Sequence, residues 1–167
     1  MTDCTDLGKA YMRQGLNVLV LGLLLGMIPV THYMLGAIAG DVGHHFMKNI
    51  TLWWGCPAIL MELTCKVGGL GLMGLGLAYR AFPRDDANEG LTAGEGRAPK
   101  LCAYALYGGA IYAGVGFVVC NMIWPNFYFE HVEAGKNAWL AGQWLAIAIY
   151  IGGLWPSVSA LKANHLQ

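Results

Sequence analysis

Glu62 and Lys66 stand four residues apart inside a long apolar stretch of this chain. On a helix, residues at i and i+4 are neighbours, and Glu before Lys is the favourable order. An unpaired charge at mid-bilayer costs on the order of 3 kcal/mol on insertion scales. Two chemistries follow. The pair can neutralise itself and hold its helix to partner helices. Alternatively it can serve as a proton relay, or as a polar site for a quinone or a transported substrate, as intramembrane ionisable residues commonly do. Thr64 and Cys65 lie beside the pair, and Met61 and Cys65 share its face, which adds soft-metal transport as a lesser alternative.

A second group could bind a metal. His32 falls in the first apolar segment. Asp41, His44 and His45 follow it, and Glu130, His131 and Glu133 precede the last apolar segment. Imidazole and carboxylate together suit Cu, Zn or Fe. The spacing matches no established ligand signature, and both clusters are expected in polar outer loops. Haem held between helices needs two axial ligands, and His32 alone would supply one. The five Cys contain no Cys-x-x-Cys, so neither a zinc ribbon nor a thioredoxin-type site is signalled. The glycine run Gly68–Gly76 lies in an apolar segment, whereas a dinucleotide loop needs a strand before it.

These residues must be positioned by membrane helices. Charged residues are 12% of the 167-residue chain and hydrophobic residues 56%, against about 25% charged in soluble domains. Four apolar segments occupy roughly 15–39, 50–79, 101–124 and 138–160, each long enough to cross a hydrocarbon core of about 30 Å. Backbone groups in lipid must be satisfied internally, and the alternating short segments of a barrel are absent. The expected fold is therefore an all-α, four-helix, up-down transmembrane bundle forming one domain over 1–167.

Lys9, Arg13, Arg80, Arg84, Arg97, Lys100 and Lys162 fall on one side of this topology, and Lys48 and Lys136 on the other. The positive-inside rule puts both termini and the 84–100 loop in the cytoplasm of a bacterial inner membrane. That loop, with Asp85, Asp86, Glu89 and Glu95 among Gly and Ala, reads as flexible and solvated. Tyr11, Tyr79, Phe82, Tyr104 and Trp155 are expected to ring the inner interface.

Small residues let membrane helices approach closely. The expected inward stripes are Gly22, Gly26, Pro29, Gly36 and Gly40; Gly55, Glu62, Lys66, Gly69, Met73 and Gly76; Gly109, Ala113, Gly116 and Cys120; and Ala141, Leu145, Ala148 and Gly152. Pro29 and Pro57 are expected to bend their helices. A faint echo, Lys48-Asn49 with Gly68-Gly69 and Lys136-Asn137 with Gly152-Gly153, suggests two hairpins related by an axis along the membrane normal.

No motif names a substrate. The short loops and surplus small-residue faces favour a small accessory subunit of a larger membrane complex, of redox type, packing on other membrane subunits and lining a quinone, pigment or lipid site. A homo-oligomeric transporter or channel using Glu62 and Lys66 is the alternative from another class, and a metalloenzyme using the outer His and acidic cluster is a third. A formal net charge of zero gives no field for nucleic acid.

Overall fold

The computed structural model of this chain describes residues 4–39, 57–82, 91–118 and 127–165, and side chains over 5–27, 60–82, 91–116 and 137–163 except Trp139. Four helices carry almost all of it: α1 Cys4–Ala39, α2 Pro57–Ala81, α3 Ala93–Val118 and α4 Phe127–His165. Among the described residues there is no strand.

The helices extend beyond the apolar segments at several ends. α1 begins before residue 15 and includes Lys9 and Arg13. α4 begins at Phe127 and continues to His165. At 36 and 39 residues, these two are about 54 and 58 Å long, longer than a hydrocarbon core. Polar ends add helix outside lipid because backbone hydrogen bonding continues wherever no breaker intervenes. Pro57 opens α2 instead of bending it, since its missing N–H is an orphan at that position anyway.

The 84–100 loop ends earlier than expected, because α3 begins at Ala93. Its start is a capping box. The Thr92 hydroxyl accepts from Glu95 N–H at 3.2 Å, while the Glu95 carboxylate accepts from Thr92 N–H at 2.9 Å and from its hydroxyl at 2.9 Å. Two orphan donors are satisfied reciprocally, and Glu95 is buried where a solvated residue was expected.

Within the described residues, three stretches are long and apolar enough to cross a membrane: Thr5–Met27, Leu60–Ala81 and Leu140–Ala163. All four expected helices are present, and α3, with its Arg97 and Lys100 and its three Tyr, is not among these three stretches over its described residues. The packing is that of a membrane bundle. Large aliphatic side chains such as Leu24, Val67, Ile111 and Leu145 point outward, while Ala98, Cys102, Ala103, Ala110 and Ala113 are buried. In lipid, outward apolar groups cost nothing and small inward ones allow close approach.

The strongest helix contacts form two antiparallel hairpins, α1 with α2 and α3 with α4. In the first, Gly8 lies against Gly76, and Gly15 against Gly69. Both helices thus present glycine every seven residues, a spacing that stays on one edge when helices cross at about 20°. In the second, Gly153 abuts Cys102, Gly109 abuts Ala146, and Gly142 abuts Tyr112. α3 also packs along α1 and α2, and α2 along α4, while among the described residues α1 and α4 share no comparable contact. A two-fold axis would make α1–α4 equivalent to α2–α3, so the described residues of the two hairpins do not pack as a symmetric repeat.

One end of the bundle is fastened by a buried polar cluster contributed by all four helices. Tyr11 of α1 stacks on Tyr79 of α2, with ring centroids 5.8 Å apart and planes at 7°. The single proton of the Tyr79 hydroxyl is shared between Glu95 of α3 at 3.1 Å and the Ser157 carbonyl of α4 at 3.2 Å, and the Tyr11 and Ser157 hydroxyls share a hydrogen bond. Tyr11 and Tyr79 are therefore interior residues, not members of an interfacial ring. Phe82, Tyr104 and Trp155 are exposed.

Candidate functional site: the intramembrane ion pair

Lys66 Nζ donates directly to Glu62 Oε1 on α2. The side chains retain 18% exposure for Glu62 and 31% for Lys66. Their place follows from the α1–α2 glycine register. One heptad beyond Gly15, Gly22 lies against Lys66: a Cβ there would meet Cys65 Cβ at 2.9 Å and Lys66 N at 3.0 Å. One turn further, a Cβ on Gly26 would sit 2.7 Å from the Glu62 carboxyl carbon. α1 thus thins to two glycines where the carboxylate and the lysine stem need room.

The ion pair occupies the seam between α1 and α2. The bundle interior at the same level of α2 is formed by Met61 and Cys65, both fully buried, with the Cys65 thiol donating to the Leu106 carbonyl at 3.9 Å. Thr64 donates to the Leu60 carbonyl at 2.6 Å and does not extend the pair. Glu62 and Lys66 both lie within Leu60–Ala81, the stretch of α2 that is long and apolar enough to cross a membrane.

Sequence reasoning missed a second polar group. Gln143 of α4 is fully buried, and neither its Oε1 nor its Nε2 has a hydrogen-bond partner. The contacts Gly142–Tyr112 and Gly109–Ala146 place it near the level of Ala113 in the α3–α4 hairpin. An apolar neighbourhood hid it: Gln143 is the one uncharged amide within the last hydrophobic run, where packing residues alone were sought. Burying an unbonded amide costs about 1–3 kcal/mol by mutational data. Gln143→Leu is therefore expected to raise the melting temperature in detergent by about 2–6 °C. A fall instead would show that the amide contributes bonds to the fold.

The other sequence-derived candidates are not assembled with the pair. The His32 side chain, Asp41, His44 and His45 lie outside the described residues. Glu130, His131 and Glu133 belong to the backbone of α4, not to an outer loop, and their side chains also lie outside the description. No group of three metal-ligating side chains occurs among the described residues. Cys65 and Cys102 are buried free thiols, as small apolar packing residues are.

Fold and site define a small α-helical membrane protein with an internal ion pair at a glycine seam. No family model, no curated protein and no solved structure matches the chain.

Proposed function

We propose that this chain is a small polytopic subunit of a larger membrane complex, with helix packing as its task and the ion pair as a structural device. The observation that carries the reading is the outer face of α4. Ala141, Leu145, Ala148 and Gly152 all face away from the bundle, and a Cβ on Gly152 would meet nothing within 4 Å. The three small residues on this outward face, Ala141, Ala148 and Gly152, suit the close approach of a neighbouring helix, with Leu145 between them as a packing knob. Gly108 of α3 is open in the same way.

The Lys/Arg distribution supports placing both termini in the cytoplasm of a bacterial inner membrane. A redox complex is the class we assign to it, a reading to be tested by the identity of the co-purifying subunits.

Extraction in mild detergent tests the proposal. Other membrane polypeptides should co-purify at fixed stoichiometry. Gly152→Leu should weaken that association at least ten-fold while leaving the isolated chain's melting temperature within about 2 °C, since the new side chain meets nothing inside. A homo-oligomer would favour the transporter reading, and stoichiometric metal the metalloenzyme reading. A chain that remains a monomer under the gentlest extraction would sink the subunit assignment.

A further inference from the structure

A groove of about 410 Å³ runs between α2 and α4 on the side of α2 away from the ion pair. Leu60, Val67, Gly68 and Gly71 form one wall, and Ile147 and Ile151 the other. The few polar groups here are already engaged. The Tyr150 hydroxyl donates to the Gly68 carbonyl at 2.9 Å, and the Thr64 hydroxyl to the Leu60 carbonyl. A guest carbonyl, such as that of a quinone ring, finds both hydroxyl protons already given to backbone carbonyls, and burying a carbonyl unbonded is costly. The apolar lining suits a hydrocarbon guest.

The length and ends of the groove narrow the choice further. From Leu60 to Gly71 is eleven residues, about 16 Å of helix, or roughly half of a hydrocarbon core. That is the reach of one leaflet. Beyond Ile151, the same face of α4 carries Trp155, Val158 and Lys162 at three- and four-residue steps, all exposed, with Trp155 at 71%. The order is apolar groove, then an indole suited to the headgroup boundary, then a lysine about 16 Å of helix beyond Ile151, whose long side chain leans back toward the helix N-terminus and so toward the headgroups. Lys162 has no acidic residue beside it on this face: among the described side chains, the exposed carboxylate Asp6 is paired with Lys9 on α1.

We infer that the α2–α4 groove holds one acyl chain of an anionic phospholipid from the leaflet at the Lys162 end, with Lys162 against its headgroup. The inference requires that the helices span a membrane. It does not require partner subunits.

The test is native mass spectrometry of the full chain in detergent, titrated separately with phosphatidylglycerol and phosphatidylcholine of identical chains. The wild type should retain one phosphatidylglycerol about five-fold more tightly than phosphatidylcholine, the preference that one lysine near a headgroup confers. Lys162→Gln should abolish the preference and keep residual binding of both lipids. Val67→Trp, at an exposed position on the groove wall, should remove both without a change in melting temperature. Gly71→Leu fills the groove from its floor and should act alike, although its Cβ would lie 3.1 Å from the Tyr150 hydroxyl. Equal retention of the two lipids by the wild type, or undiminished retention by folded Val67→Trp, overturns the inference. So does a co-purifying polypeptide that cross-links to the Val67→Cys variant while lipid is absent. Loss of partner subunits with lipid retention intact would count against the proposed function alone.

Discussion

Gly15→Ala is expected to lower the melting temperature of the detergent-solubilised protein by about 3–10 °C, and Gly15→Leu to leave no folded α1–α2 hairpin. The reason is the nature of the atoms in contact. A Cβ on Gly15 would lie 2.6 Å from the Gly69 carbonyl oxygen and 2.8 Å from Met73 N. Both are backbone atoms of α2, so no rotamer change can relieve the overlap. The helices must separate, and the same seam holds Gly8 against Gly76 and Gly22 against Lys66. Overpacking of this kind costs about 1–3 kcal/mol for one methyl group and more for a larger side chain. Gly74→Ala is the matched control. It lies on the same helix as Gly69, but nothing stands within 4 Å of its Cβ, and Ala gains about 1 kcal/mol of helix propensity over Gly. It should be neutral or slightly stabilising. Equal losses at Gly15 and Gly74 would mean that the seam is not a close backbone contact.

The helical membrane character was legible in the sequence because it depends on length and composition, which packing does not alter. The α1–α2 face was also legible in part. Gly22, Gly26, Glu62, Lys66, Gly69 and Gly76 line the seam as their spacing suggested, and Gly8 and Gly15, outside the expected stripe, extend it toward the start of α1. On α4 the reading chose the wrong face. Ala141, Leu145, Ala148 and Gly152 are outward, and Gln143, Ala146, Tyr150, Gly153 and Ser157 are inward. A search for small residues favours the first set. What fixes the second is polar satisfaction: Tyr150 reaches the Gly68 carbonyl, and Ser157 joins the Tyr11–Tyr79 cluster. Those partners lie on other helices and are invisible along one segment. Hydropathy does not help either, because lipid accepts Trp144 and Leu145 as readily as the core would. The capping box at Thr92–Glu95 was a readable signal, obscured by treating the whole acidic stretch as a solvated loop.

Removal of either charge from the α2 pair is expected to be more damaging than removal of both. Glu62→Gln leaves the Lys66 ammonium facing a neutral amide in the α1–α2 seam. Lys66→Met leaves the Glu62 carboxylate opposite Gly26 without the ammonium that donates to it. Each single change should cost about 2 kcal/mol. That is below the cost for a fully buried pair, because both side chains retain some exposure. The double variant replaces the pair by neutral groups of similar length and should lose less than about 1 kcal/mol, since such replacements are often near neutral. The reading of the pair as a structural device stands or falls on the coupling between these changes. The most direct measurement is a double-mutant cycle on thermal or denaturant stability with Glu62→Gln, Lys66→Met and their combination in the same detergent. A coupling of about 3 kcal/mol is predicted, with the double variant more stable than either single one. Additive losses would contradict it, because two side chains that neutralise one another cannot be removed independently.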